Sequence, residues 1–329
     1  MRMNLLIVTD HSKHTSTNSL YSLARALKAD ARCQEVWVCS RGIEANAAFF
    51  NGNSKAGIHA VSVGDDFSFS SSGLVFEQHS QPIDASVIHA ILVRMPQPVD
   101  PAFLFSLEAI VPHDRIVNRP DGIVETATKE FLLQVSYLCP EPVLCHNLSE
   151  AIALSLQKEI VLKPLYEYGG RGIIRLSREF CWVANTCYDA DQVYSILKED
   201  HFPMLAMKYL RNVQQGDKRT IVAHWTVLGS ALRIPAAGQW MCNVAQGGQA
   251  RPDVMDGHER IIQEILTPML HRKGIIMFGF DTLVDDDGRR VLSEINTLSV
   301  GGLFPMQELT GKPLVRQAAA LIWDYLTGH

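Results

Sequence analysis

The sequence predicts an α/β protein: an open, parallel α/β domain at the N-terminus, then a C-terminal half of α+β character built on antiparallel strands. Three observations carry this. Short apolar runs alternate with a helical pattern through the first third. A glycine-rich turn at residues 169–172 separates two β-rich runs in the middle. Near the C-terminus two more apolar runs flank Asp287-Gly288, a dipeptide that signals a tight hairpin. With 329 residues, 47% of them hydrophobic and 20% charged, the chain is long enough for two or three packed domains.

Residues 5–9 form an apolar run typical of a buried strand. Leu20, Leu23, Ala24 and Leu27 then recur at helical spacing, and residues 36–39 read as the next strand. Residues 67–73 read as a loop, and residues 87–93 as a further buried strand ending at Arg94. Such alternation implies right-handed crossovers, with ligands bound beyond the C-terminal strand ends, here residues 9–14 and 94–97. A first domain of residues 1–120 is expected to end at Val117-Asn118-Arg119-Pro120. A second, residues 121–203, holds helices at 129–137 and 149–157 and strands at 159–163 and 173–176. A third, residues 204–329, holds strands up to residue 234, a Gly/Gln-rich loop, a helix at 256–272, the acidic hairpin and a closing helix at 315–325.

Composition narrows the function. A net charge of −5 speaks against a general nucleic-acid binder. No apolar run reaches the ~18 residues of a membrane span. The N-terminus enters a strand-like run without a signal-peptide pattern, and the seven cysteines read as reduced thiols, so a cytoplasmic protein is expected. A homo-oligomer is compatible with this composition.

The hairpin carries the sharpest chemistry. With Asp287 and Gly288 at a two-residue turn, Asp286 pairs with Arg289 and Asp281 falls opposite Glu294. Asn296 shares the face of Glu294 by the period of two. Two carboxylates ~4 Å apart repel by about 4 kcal/mol at the effective dielectric near a protein surface. A hard cation reverses that penalty, and this oxygen set suits Mg²⁺ (or Mn²⁺). The alternative is a strand whose acids face solvent. The turn Tyr168-Gly169-Gly170-Arg171-Gly172 follows a strand that carries Lys163, and no helix starts there, so it is no Walker loop. It reads either as a flap whose backbone N–H groups approach phosphate oxygens or as a flexible surface hairpin. Asp217 and Arg219 share a strand face, and Arg233 ends the next strand but one. The arginines suit phosphate or carboxylate, and equally a structural ion pair. His11 and His14 read as solvated loop histidines.

Together Lys129, Lys163-Pro164, residues 169–172, Gly216-Asp217-Lys218-Arg219, Leu232-Arg233-Ile234-Pro235, Gly247-Gly248, Asp281 and Glu294-Ile295-Asn296 resemble the ATP-grasp superfamily, and within it the bacterial glutathione synthetases. The resemblance implies an ATP-grasp fold with a small lid as its middle domain. It also implies an ATP-dependent ligase that joins a small-molecule acid and amine through an acylphosphate. Lys129 and Lys163 would hold ATP phosphates, the loop from Tyr168 to Gly172 would close over them, and Met207, Lys208, Tyr209 and Leu210 would form the adenine hinge. Asp281, Glu294 and Asn296 would hold Mg²⁺; Arg233, with Arg219 and Asp217, would serve the transfer. Arg94, Asn243, Ser299, Gly301 and Gly302 would face the substrates. Met241 stands where those synthetases carry a basic residue, and Thr297-Leu298 replaces their Ser-Pro continuation, so another substrate pair is an alternative. A non-catalytic ATP-binding module is the rival from a different class.

Overall fold

The computed structural model describes residues 2–184, 186–236, 238–242 and 249–328. Three sheets organise them. The first contains β1 (Met3–Thr9), β2 (Cys33–Ser40), β3 (Ile58–Ser62), β4 (Gln81–Ile83), β5 (Ala90–Val93) and β6 (Ile116–Val117) in the order β4-β3-β2-β1-β5-β6. β1 is buried throughout, which accounts for its continuous apolar run. The helix Leu20–Lys28 buries Leu20, Leu23, Ala24 and Leu27, the stripe expected from their spacing. The pairs β1–β2, β1–β5 and β5–β6 are parallel, whereas β3 and β4 join antiparallel at one edge. The sheet is therefore mixed rather than wholly parallel. The strand expected at 87–93 is shorter, because the Asp84 side chain accepts from Ser86 N at 2.9 Å and opens a 3₁₀ turn over Ala85–Val87. β1 lies between β2 and β5, so the strand order changes direction there and the C-terminal ends of β1 and β5 splay apart as a crevice.

The second sheet contains β7 (Val143–Cys145), β8 (Ile160–Pro164), β9 (Ile174–Leu176), β10 (Phe180–Val183), β11 (Thr186–Asp189) and β12 (Met204–Lys208), in the order β11-β10-β9-β8-β12-β7. β12 thus pairs with β8 and β7 rather than with the strands that follow it in sequence. The segment expected as a helix from Lys129 is a 3₁₀ helix, Lys129–Leu138, interrupted at Val135.

The third sheet, β13 (Asp217–Ala223), β14 (Thr226–Ile234), β15 (Gln249–Asp253), β16 (Met277–Val284) and β17 (Arg290–Asn296), is antiparallel in the order β15-β14-β13-β16-β17. The acidic hairpin departs from the expected two-residue turn. Asp285 N donates to Arg289 O at 2.8 Å, and Val284 pairs with Arg290, so Asp286 does not pair with Arg289. Taken alone, this longer turn would move Asp281 away from Glu294. A bulge restores the register: Thr282 pairs with Leu292, Asp281 with Glu294, and Ser293 is the extra residue.

The C-terminal helix Leu314–Thr327 returns to the first sheet. Trp323 is fully buried there and its indole N–H donates to Leu27 O at 3.1 Å. Asn118 joins the first and third sheets. Its Nδ2 donates to Met277 O (2.7 Å) and Thr297 O (2.5 Å), and its Oδ1 accepts from Ile276 N (2.7 Å) and Met277 N (2.9 Å). Among the described residues no helix is long and apolar enough to cross a membrane, and all seven cysteines are free.

Candidate active site

A cavity of about 420 Å³ opens where the three sheets meet. The third sheet supplies its charged floor by cross-strand register. Asp217 on β13 faces Arg233 on β14, Arg219 on β13 faces Asp281 on β16, and Asp281 faces Glu294 on β17. Alternation puts Asp217 and Arg219 on the cavity face. Lys218 points the other way, to Glu259 at 2.7 Å, and anchors the helix Gly257–Arg272. Gly216, at φ +86°, permits the approach that starts this strand, because a Cβ there would lie 2.6 Å from Arg233 O.

The floor is a tight ionic lattice. Arg219 grips Asp281 with two bonds, Nε–Oδ1 at 2.7 Å and NH2–Oδ2 at 2.6 Å. Arg233 grips Asp217 at 2.8 and 2.5 Å and reaches Asp281 Oδ2 at 2.9 Å. Burial by itself would raise the Asp281 carboxyl, but the two guanidiniums outweigh it and hold it far below the usual carboxylate range. Burial dominates at Asp217, whose carboxyl is pushed up against the pull of Arg233. Burial opposes the charge of Arg233 as well, yet Asp281 and Asp217 keep it firmly protonated.

Above the floor, Lys163 on β8 is buried and donates to Ser293 O (3.0 Å) and Ser293 Oγ (2.9 Å). The bulge that restores the register thus exposes the carbonyl that positions this lysine. Burial lowers the pKa of Lys163, with Glu294 opposing. Lys129 is also buried; its Nζ lies 4.0 Å from Glu294 Oε1, 5.0 Å from the Tyr168 ring centre, and donates to Glu167 O. Burial lowers its pKa, with Glu294 and Glu167 opposing. Tyr168 donates its hydroxyl to Ala127 O at 2.9 Å. The flap is therefore tied down at its base, while Gly169, Arg171 and Gly172 at its tip are exposed. Gly169, Gly170 and Gly172 all have positive φ, which explains the glycine density.

Most of the expected site residues converge on this cavity. Lys163, Tyr168, Gly169, Gly170 and Arg171 line it, as do Met207, Lys208, Tyr209 and Leu210. So do Asp217, Arg219, Arg233, Asp281, Glu294 and Asn296, together with Ser299 and Gly301. Lys208 also pairs with Asp286 at 2.9 Å. Four residues stand apart. Lys129 lies behind the flap, and Gly172 packs where a Cβ would lie 2.9 Å from Pro164. Gly302 caps the helix Leu303–Thr310. Arg94 is turned away, its guanidinium buried and donating to Val300 O at 2.8 Å, so it braces the 299–302 loop from behind. Asn243 lies outside the described residues, as do Gly247 and Gly248.

The histidines are not solvated as expected. His11 Nδ1 sits 2.7 Å from Ser40 Oγ, and its ring stacks on Phe76 at 4.6 Å. His14 bridges Thr9 Oγ1 and Tyr21 OH, both at 2.9 Å, and burial drives its pKa down to about 4. Lys13 and Gln97, from the strand ends flagged in the sequence, reach the cavity, and so do Asn18 and Ser293, for which no sequence signal existed. Trp240, Met241 and Cys242 form a buried apolar wall with Val161 and Val213.

Two carboxylates and an amide oxygen are a donor set of the type that Mg²⁺ accepts, with the Asp281 oxygens shared with Arg219 and Arg233. The residues fit a hard cation. Among the described residues no group of three His, Cys, Asp or Glu side chains offers an alternative centre.

The family model for the ATP-grasp domain of prokaryotic glutathione synthetase matches residues 128–311. The glutathione synthetase of Prochlorococcus marinus (strain MIT 9313) is 30% identical over 236 residues, covering 70% of this chain and 73% of that protein. That of Agrobacterium fabrum is 28% identical over 270 residues, covering 79% and 76%. Among solved structures, a D-cycloserine synthetase superposes with a TM-score of 0.65 at 13% identity, over 98% of this chain and 99% of that one. The D-alanine-D-alanine ligase from Coxiella burnetii does so with a TM-score of 0.65 at 13% identity, over 99% and 95%. At such identities the structural likeness establishes the fold alone.

Proposed function

This chain belongs to the prokaryotic glutathione synthetase ATP-grasp family, and from that premise we infer that the cavity between its three sheets is the active site. The protein is an ATP-dependent, ADP-forming ligase that joins a carboxylate to an amine as an amide. The single observation that carries the site assignment is the register of the third sheet. That register brings Asp281, Glu294 and Asn296 together beside Arg219 and Arg233 on one wall of the cavity, with Lys163 reaching in from the second sheet.

The residues then take these roles. Met207, Lys208, Tyr209 and Leu210 lie against the base of ATP, and Lys163, with Lys129 behind the flap, attracts its phosphates. Asp281, Glu294 and Asn296 would hold Mg²⁺ (or Mn²⁺), which would supply charge neutralisation at the phosphates. A substrate carboxylate oxygen attacks the γ-phosphorus and ADP leaves, giving an acylphosphate. The amine attacks its carbonyl, a proton is lost from nitrogen, and phosphate departs. Arg233 and Arg219, held in place by Asp217 and Asp281, stabilise the charge that develops on the transferred group. The flap from Tyr168 to Gly172 excludes water from the acylphosphate.

The acid and amine are small molecules, with γ-glutamylcysteine and glycine as the first pair to try. Met241 is buried in the apolar wall and offers no charge to a carboxylate, which favours a different small acid or amine as the second reading. Nucleotide chromatography of reactions with this pair and a panel of amino acids tests both. ADP with phosphate is expected, together with loss of turnover on chelation of divalent metal. AMP with pyrophosphate would overturn the mechanism, and nucleotide binding without turnover of any pair would favour a binding module.

A further inference from the structure

We propose that Lys13, assisted by Asn18, is a specificity-determining residue that binds a spectator carboxylate, one that does not react, on the acid or the amine substrate. The inference rests on the ligase reading of the cavity. Six cationic side chains line that cavity. Arg171, Lys208, Arg219 and Arg233 are each engaged by a carboxylate, and Lys163 is fixed on Ser293. The Lys13 ammonium alone of the six, among the described residues, has neither a hydrogen bond nor an ion pair, its backbone N–H donating to Asp10 O at 3.2 Å. It comes from the first sheet, at the crevice beside β1, whereas the groups assigned to phosphoryl transfer come from the second and third.

Its loop is held on both sides. Asp10 caps the turn by accepting from Ser12 N (3.1 Å) and Ser12 Oγ (2.6 Å), and Arg41 locks Asp10 at 2.9 Å. His11 is stacked on Phe76 and hydrogen-bonded to Ser40, and His14 is wedged between Thr9 and Tyr21. These half-buried rings hold the loop on either side while leaving the ammonium of Lys13 its three donors. Asn18 uses its Oδ1 to accept from Leu20 N at 2.9 Å, which leaves its amide N–H groups for the cavity. A cation and an amide donor lining the same cavity match an anionic acceptor. The reacting carboxylate loses its charge on phosphorylation, so a fixed cation suits a carboxylate that keeps its charge throughout.

Two measurements test this. In steady-state kinetics with γ-glutamylcysteine and glycine, Lys13→Met should raise KM for one of them ten- to hundredfold, the usual effect of a charge-assisted bond. KM for ATP should stay within twofold, and Lys13→Arg should recover most of the loss. γ-Aminobutyrylcysteine and glycinamide, which lack the respective spectator carboxylates, identify which substrate is held. The partner of Lys13 is the one whose amide or decarboxylated analogue responds equally in wild type and Lys13→Met. Independently of turnover, the Lys13 amine is labelled with an amine-reactive reagent in the presence of a non-hydrolysable ATP analogue. Mass spectrometry then compares protection by γ-glutamylcysteine and by the twenty amino acids with that by their carboxamides. Protection by carboxylates but not carboxamides is expected. No protection by any of them overturns the inference while leaving the ligase reading intact. Protection by another acid, with γ-glutamylcysteine inert, supports the inference and overturns the glutathione-type substrate pair.

Discussion

Ser293 does two things with one backbone irregularity. As the extra residue of the bulge it brings Glu294 opposite Asp281, and its carbonyl, released from the ladder, receives Lys163. Glu294 is half-buried and meets Lys129 at 4.0 Å, so Glu294→Gln keeps the shape and removes the charge. We expect turnover to fall at least a hundredfold, with far-UV circular dichroism and Tm unchanged; wild-type turnover would remove Glu294 from the proposed metal set. His14 gives a second prediction. Its folded pKa of about 4 lies below the ordinary 6.5, because the imidazole is partly desolvated and faces His11. Between those values the unfolded chain binds more protons than the folded one, so stability is full above pH 6.5 and declines as pH falls toward 4. The total loss is at most about 3 kcal/mol. His11 is shifted in the same direction by burial. Urea midpoints across this window should slope upward with pH in wild type and flatten in His14→Asn; equal slopes would show that another group governs the window.

At the scale of elements, the flap combines a fixed base with a free tip. Lys129 and Tyr168 pin the backbone at Glu167 and Ala127, while Gly169, Arg171 and Gly172 at the tip are exposed, with Arg171 paired, among the described residues, only to Glu167 of the same turn. Opening is then a local motion of one turn rather than of the whole second sheet. Amides of residues 166–172 should exchange rapidly in the free protein and at least tenfold more slowly with ATP and Mg²⁺. Full protection without nucleotide would exclude a closing flap. Such a turn was legible from the sequence, since three glycines in four positions between two strands admit few other readings. The 3₁₀ character of Lys129–Leu138 was not, because its apolar residues satisfy helical spacing in either helix type.

Across the whole molecule, Asn118 is the joint. One buried amide serves four backbone groups of the third sheet and its flanking loop. Asn118→Ala leaves those groups unpaired, at roughly 1–3 kcal/mol each where no water enters, so a total loss of about 3 kcal/mol or more is expected. The check is the urea midpoint with far-UV circular dichroism; a midpoint within error of wild type would show that the joint does not depend on Asn118. By itself the sequence determined the main strands and helices flanking the site, and that Asp217 shares a strand face with Arg219 and Glu294 with Asn296, because side-chain alternation along a strand is a local property. It also gave the family resemblance that pointed to ATP. The bulge that sets Asp281 opposite Glu294 and the β13–β16 pairing that sets Arg219 opposite Asp281 were decided by the tertiary structure. Only the tertiary structure decided that Arg94 braces a loop instead of facing a substrate. The same holds for the two loop histidines, which are half-buried struts, for β12, which lies between β8 and β7 in the second sheet, and for Lys13 reaching the cavity. Those outcomes depend on which surfaces meet across distant parts of the chain, and long-range packing leaves no periodic trace in the local sequence.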